Sequence, residues 1–190
     1  MLGIKNLRTL PLISVVMPTY NTDAVCLERA INSVRNQIYT NWELCICDDG
    51  STRLETKQVL DAACKKDRRI KVKKLEENFG IAIASNGALD LAEGEYVALM
   101  DHDDELPTHA LAEVVRFVNK HPESDLIYSD EDKIDINGKR YEPFFKPDWS
   151  PDLFLSCNYF NHLTVIRLGL VKMLGGFQDS YDGSQDYDLF

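Results

Sequence analysis

The strongest constraint on the fold is a rhythm: five short strand-like runs separated by four stretches of helical spacing. The first run, Leu12-Ile13-Ser14-Val15-Val16-Met17, is closed by Pro18 and reads as a buried strand. Asn21-Thr22-Asp23 then offers N-cap chemistry, and Leu27, Ala30, Ile31 and Val34 follow at helical spacing. Residues 42–47 form the second strand, 54–66 a helix and 70–75 the third strand. Asn78-Phe79-Gly80 marks a turn before a helix over 81–91. Its small residues Ala82, Ala84, Ser85, Gly87 and Ala88 allow a neighbour or ligand close approach. Residues 96–100 and 126–129 are the fourth and fifth strands. Between them Pro107 is placed near the N1 position of a helix that buries Leu111, Val114, Val115 and Val118.

Strands that alternate with helices predict an α/β fold with a mainly parallel sheet flanked by helices and wound right-handed. After Asp130 the rhythm changes. Asn137-Gly138 is a hairpin signal, and 141–149, rich in aromatics and prolines, reads as irregular. A strand over 163–167 and a short helix ending at Gly175-Gly176 follow. With no internal repeat, low-complexity stretch or linker, residues 1–190 are expected to form a single domain.

Composition removes several functions. A net charge of −10 disfavours general nucleic-acid binding and polybasic attachment to a membrane surface, both of which need clustered Lys and Arg. An acidic chain still takes an anionic ligand where a metal ion supplies the positive charge. No apolar run approaches the roughly 20 residues of a membrane span. Residues 1–8 lack the apolar core of a secretory signal. The five cysteines are odd in number and include no Cys-x-x-Cys, so they are expected as buried thiols of a reducing cytosol. Cys45 and Cys47, two apart on a strand, share a face.

In an open parallel sheet, ligands bind beyond the carboxyl ends of the strands. Three such ends are polar: Pro18-Thr19-Tyr20-Asn21, Asp48-Asp49-Gly50-Ser51 and Asp101-His102-Asp103-Asp104. Their convergence from distant segments outweighs any one motif. Asp101 and Asp103, two apart at a strand end, are suited to hold a hard divalent cation, Mg²⁺ or Mn²⁺. The alternative is a solvated acidic loop that favours the next helix N-terminus, the role open to Asp104. Asp48-Asp49 can accept hydrogen bonds from a ribose or a base imide, and the same residues serve equally as a turn. Tyr20 can stack on a base or stand as a half-buried aromatic. Residues 129–138 do not form a calcium loop. With Gly138 as the turn glycine, Lys133 falls at the first ligand position and Phe144 where a glutamate is required. No phosphate-cradling Gly-Lys loop, dinucleotide fingerprint or His-Glu-x-x-His is present. Of the four histidines, His121 reads as a helix terminus and His162 as a candidate site residue.

The ordered set resembles the family-two glycosyltransferases of the GT-A fold. The resemblance runs through residues 14–21, Asp48-Asp49-Gly50-Ser51-Thr52, Asn78-Phe79-Gly80, Ser85-Asn86, Gly94-Glu95-Tyr96, 101–104, Gly175-Gly176-Phe177 and Gln185-Asp186-Tyr187-Asp188. Asp130-Glu131-Asp132-Lys133 and residues 145–152 further resemble bacterial enzymes of O-antigen and cell-surface polysaccharide assembly. The resemblance implies a sugar moved with inversion from a UDP- or dTDP-linked donor to a hydroxyl of a glycan or lipid-linked acceptor. It implies nucleotide-sugar contacts from Pro18, Tyr20, Asp48, Asp49, Asn78, Gly80, Asn86, Asp101 and His102. Asp103 and Asp101 would bind the metal, and Asp186 would be the catalytic base. Residues 1–130 would be the donor half and 131–190 the acceptor side, in a cytoplasmic protein able to associate with the inner face of the membrane.

Two residues depart from the family pattern. Gln185 stands where a glutamate usually precedes the base, and Ser85 where many relatives carry a basic residue. Relatives continue past the position of Phe190, so the chain is expected to be a piece that binds donor better than it transfers sugar. A sugar-phosphate nucleotidyltransferase would want a Gly- and Arg/Lys-rich loop after the first strand, and residues 19–25 contain none. A nucleotide-sugar-binding module without activity is the non-enzyme alternative.

Overall fold

The computed structural model describes residues 7–181 and 183–190. Strands β1 (Ile13–Thr19), β2 (Trp42–Asp48), β3 (Ile70–Lys74) and β4 (Tyr96–Leu99) are parallel neighbours. Helices α1 (Ala24–Arg35), α2 (Leu54–Lys66) and α3 (Ile81–Leu89) connect them in turn. Helix α4 (Ala110–Lys120) leads to β5 (Leu126–Tyr128), and the hairpin β6 (Glu131–Ile134) and β7 (Arg140–Phe144) stands apart as a two-stranded ribbon. Helix α5 (Pro151–Phe154) precedes β8 (Thr164–Arg167), and α6 (Leu168–Leu174) and α7 (Gln185–Leu189) complete the order.

The six-stranded sheet runs β3-β2-β1-β4-β8-β5. The chain moves outward from β1 through β2 and β3, then returns to the other side of β1 as β4. That reversal opens a crevice at the carboxyl ends of β1 and β4, the usual ligand position in such sheets. Strand β8 is antiparallel to both neighbours, with Thr164 opposite Leu99 of β4 and Tyr128 of β5. The start of β8 therefore lies at the same edge as the ends of β4 and β5. Residues 161–163 and 129–131 are delivered there by topology alone.

Alternation along each strand builds two cores. Ile13, Val15, Met17, Leu44 and Ile46 face a cluster with Leu27, Ile31, Leu60, Leu111 and Val115. Val16, Cys45, Cys47, Val97 and Leu99 face the opposite cluster with Ala82, Ala84, Ala88, Val171 and Phe177. On that second face the small residues of α3 meet their purpose: a Cβ on Gly87 would lie 2.6 Å from Cys47 Sγ. Asp23 caps α1, accepting from the N–H groups of Val25 and Cys26.

Three expectations are corrected. Pro107 is not at the first position of α4 but in the preceding turn, its carbonyl accepting from Ala110 N–H at 2.9 Å. The helix can begin at Ala110 because Gln37, far away in sequence, accepts from Leu111 N–H at 3.0 Å and donates to Pro107 O at 2.8 Å. Residues 140–144 are a strand, not irregular structure. The ribbon is braced across its strands by Arg140–Asp132 at 2.6 Å and Lys133–Glu142 at 2.5 Å. All five cysteines are free, but only Cys45 and Cys47 are buried; Cys26 and Cys64 are half-buried and Cys157 is exposed. Strands β1–β4 have helices on both faces, whereas residue 157 follows a short surface helix.

Candidate functional site

The first strand end is fixed by its neighbour. Asn21 takes φ = 48°, and its Oδ1 accepts from the N–H groups of Thr52 at 2.8 Å and Arg53 at 3.0 Å. Ser51 Oγ accepts from Asn21 N–H at 2.8 Å. Asp48 and Asp49 are both buried. Asp48 Oδ1 accepts from Ser51 N–H at 3.1 Å. Asp49 takes one main-chain N–H on each oxygen, from Phe79 at 2.8 Å and Gly80 at 3.0 Å. The turn role of the pair and the tethering of the loop before α3 are thus present in the fold, with lone pairs left over on each carboxylate. Tyr20 is 44% exposed beside them, and Asn78 is exposed. Gly80, with φ = 99°, opens α3 in a conformation that favours glycine.

Asn86 is engaged elsewhere. Its amide donates to Phe177 O at 2.7 Å and accepts from Phe177 N–H at 2.9 Å. Gly176 must lack a side chain there, since a Cβ would approach Asn86 Oδ1 to 2.5 Å. The amide therefore braces Phe177, which lines the cleft, rather than projecting into it.

The cleft itself is lined by Pro18 from the end of β1, Met100 and Asp101 after β4, Asn161 and His162 before β8, Phe177, and Gln185 and Asp186 of α7. The chain turns as soon as β4 ends, with Asp104 N–H donating to Asp101 O at 3.3 Å. That turn curls Asp104 back toward Asp101. His162 sits between them, Nε2 at 3.4 Å from Asp101 Oδ2 and Nδ1 at 3.5 Å from Asp104 Oδ2. Asp103 points outward, 63% exposed, with Oδ1 3.8 Å from Nδ1 of His102. Among the described residues Asp101, Asp104 and His162 form the group whose ligand atoms all lie within 4.8 Å of one another.

The electrostatics follow from this crowding. Burial would push His162 down, but the bond to Asp101 and the charges of Asp104 and Asp101 raise it to about 9. The same bond holds Asp101 below the usual carboxylate range against the opposing effect of burial. Burial raises Asp104, and burial together with the charge of Asp101 raises Asp186. Two carboxyls whose environments push them in opposite directions, Asp101 down and Asp186 up, share one cleft, a pattern suited to divided roles.

The donor set fits a divalent cation. Nδ1 of His162 and Oδ2 of Asp104 are buried without a hydrogen-bond partner among the described residues. A divalent cation that takes the place of the imidazole proton would satisfy both atoms, since a ligating histidine must be neutral. Beyond them stands an aromatic wall. Phe160 stacks between Tyr128 at 4.5 Å and Phe154 at 4.7 Å, with Trp149 tilted against it and 58% exposed. Tyr187 donates to Phe154 O, which ties α7, the helix of Asp186, to α5.

A mainly parallel sheet flanked by helices, with a crevice at the carboxyl ends of its strands, is the architecture of the GT-A fold. The chain belongs to Glycosyl transferase family 2, whose profile matches residues 14–169. It is 37% identical over 187 residues to the O-antigen biosynthesis protein RfbC of Myxococcus xanthus. That match covers 98% of the chain and 15% of RfbC, so the chain spans a small part of this relative's length. Among solved structures it resembles TarS of S. aureus, with a TM-score of 0.72 and 25% identity, covering 92% of this chain and 52% of that one. It also resembles the mannosyltransferase PcManGT from Pyrobaculum calidifontis in complex with GDP-Man and Mn²⁺, with a TM-score of 0.73 and 22% identity, covering 96% and 51%. TarS has also been solved with UDP and with UDP-GlcNAc. No helix among the described residues is long and apolar enough to cross a membrane.

Sequence reasoning missed the place of Asp104. The turn at Asp101 curls Asp104 back toward Asp101 and His162, while Asp103, which an extended strand end would set beside Asp101, points outward. It also missed Glu131 and Lys146 as neighbours of His162, although both lie in segments singled out by their resemblance to surface-polysaccharide enzymes.

Proposed function

We propose that this domain binds a nucleoside-diphosphate sugar in the β1/β4 crevice and transfers the sugar, with inversion, to a glycan or lipid-linked hydroxyl in surface polysaccharide synthesis. The observation that carries the reading is the cleft that brings Asp101 and His162 against Asp186, with Asp104 grouped beside the first two. A divalent cation bound there would neutralise the charge that develops on the departing diphosphate. Asp101, Asp104 and His162 would hold it, with the exposed Asp103 and the half-buried His102 toward the diphosphate. An imidazole beside two carboxylates favours Mn²⁺ over Mg²⁺, since Mg²⁺ prefers an all-oxygen shell. The Mn²⁺ complex of PcManGT is in line with that choice, and the UDP complexes of TarS with a uridine donor.

Pro18 and Tyr20 would flank the base, and Asp48 or Asp49 would use a spare lone pair on the base or ribose. Asn78 and Gly80 would border the same pocket, and Asn86 would act through Phe177. Asp186 would take the acceptor proton as the hydroxyl oxygen attacks C1 and the bond to the diphosphate breaks. Burial raises its pKa, which makes it a stronger base once ionised than a solvated aspartate. Residues 1–130 would serve the donor and 131–190 the acceptor, in a protein working on the cytoplasmic side of the membrane.

The test is Asp186→Asn in a protein that includes the remainder of the transferase. Nucleoside diphosphate binding should persist, while release of the diphosphate in the presence of acceptor polysaccharide falls by about 10²–10⁴-fold, the usual worth of a positioned base. Turnover within a few-fold of the parent in Asp186→Asn would contradict the assignment.

A further inference from the structure

The Asp130-Glu131-Asp132-Lys133 and Phe145-Lys146-Pro147 segments contribute no group to the cleft lining, yet they reach the residue at its centre. The side chain of Lys146 is 1% exposed. Its ammonium donates to Glu131 Oε2 at 2.9 Å, Phe160 O at 2.5 Å and His162 O at 2.7 Å, which uses all three donors. The same Glu131 oxygen accepts from His162 N–H at 3.2 Å. Both main-chain polar groups of His162 are therefore held by one ion pair. The pair is itself rooted, since Lys146 N–H donates to Asp130 Oδ1 at 2.8 Å. Next to it, Leu163 is tied to Ser129 through its N–H at 3.3 Å and its carbonyl at 3.1 Å.

Burying an ammonium is costly, and an apolar pair of similar volume would hold a fold at least as well. What an apolar pair cannot do is fix the direction of two carbonyls and one N–H. We propose that the Glu131–Lys146 pair is the positioning device of the cation site: it sets the backbone of His162 so that the imidazole faces Asp101 and Asp104. This rests on the reading of a cation at those three residues. Glu131 and Lys146 touch neither donor nor cation; they act through His162. The β6–β7 hairpin, outside the main sheet, thereby becomes part of the donor site.

The experiment uses three single variants, Lys146→Met, Glu131→Gln and His162→Ala, and the double variant Lys146→Met/His162→Ala. Mn²⁺ affinity is read by electron paramagnetic resonance in the presence of UDP. Lys146→Met and Glu131→Gln should each lose about 10- to 100-fold in Mn²⁺ affinity, the range for groups that orient a metal ligand. In the His162→Ala background Lys146→Met should add less than about a twofold loss, because its route of action is gone. A variant that melts earlier but binds Mn²⁺ within twofold of the parent overturns the proposal. So does an equal loss in both backgrounds. Glu131→Gln keeps the shape and an acceptor oxygen, which preserves a foldable variant if Lys146→Met does not fold.

A metal-free readout separates the clamp from the cation reading. At fixed pH, the imidazole resonances of His162 should shift in Glu131→Gln while those of His109 and His121 stay in place. If the parent binds no Mn²⁺ but this shift appears, the cation reading fails and the clamp stands. Unmoved His162 resonances refute the clamp.

Discussion

Replacing Asn86 with alanine separates a brace from a ligand contact. The amide makes two hydrogen bonds to the main chain of Phe177, at 2.7 and 2.9 Å, from a residue that is itself only half-buried. Phe177 is 4% exposed, so its N–H and C=O have little access to water once the amide is gone. Two neutral hydrogen bonds are worth about 1 kcal/mol each, giving about 2 kcal/mol, and about 4 kcal/mol if both Phe177 groups stay unsatisfied. For a chain of this size each kcal/mol moves the melting temperature by about 2–4 °C, so the lower figure corresponds to a fall of roughly 4–8 °C. The assay is thermal unfolding together with UDP and Mn²⁺ titration well below the transition. The expected result is a clear loss of stability with nucleotide affinity retained within a few-fold. An Asn86→Ala protein of parental stability that no longer binds UDP would refute the brace and restore Asn86 as a donor contact.

Two further outcomes follow from the rest of the fold. At the edge of the sheet opposite the cleft, Glu43 is buried and accepts from Ser14 Oγ at 2.6 Å and Glu93 N–H at 2.7 Å, with Lys71 at 2.8 Å. Burial would raise its pKa, but these bonds lower it below the ordinary value of 4.5. Its stabilisation is therefore complete above that value and lost as pH falls through the lower folded pKa. Glu43→Gln should cost about 3 kcal/mol at neutral pH, the low end for a broken buried pair because Lys71 remains partly solvated. Its urea midpoint should also fall less steeply than the parent's below pH 4.5; parallel pH profiles would contradict the assignment. Burial pushes the Cys45 thiol up to about 12 and the Cys47 thiol to about 11. A thiol reagent at pH 8 should therefore label exposed Cys157 in the native protein and reach Cys45 and Cys47 only after unfolding. Native labelling of either would displace them from the core.

The parallel half of the sheet was readable because β1, β2 and β4 are short, largely apolar runs that give way to Pro18-Thr19, Asp48-Asp49-Gly50 and an acidic turn. Those endings lie on one edge once the strands are parallel, which is why 18–21, 48–51 and 101–104 meet. The antiparallel β8 carries no such sign. Nothing in Thr164-Val165-Ile166-Arg167 says that it enters between β4 and β5, so His162 stood out only as a polar residue before a strand. Asp104 was hidden by the turn that begins at Asp101, and the bracing role of Asn86 by a partner 91 residues away. Gln37 at the start of α4 and Lys146 behind His162 share this character. Each satisfies main-chain groups that local sequence leaves open, and a linear reading of spacing has no term for a side chain arriving from another element.

The most direct test of the donor site is calorimetric titration of the chain with UDP, dTDP, GDP and CDP, each with and without Mn²⁺, repeated on Asp101→Asn. One uridine or thymidine diphosphate should bind with a strong dependence on Mn²⁺, and that dependence should vanish in Asp101→Asn while the fold is retained. Absence of metal-dependent binding for all four nucleotides, or an Asp101→Asn protein that keeps the parental Mn²⁺ dependence, would contradict a cation-assisted nucleotide-sugar site at the end of β4.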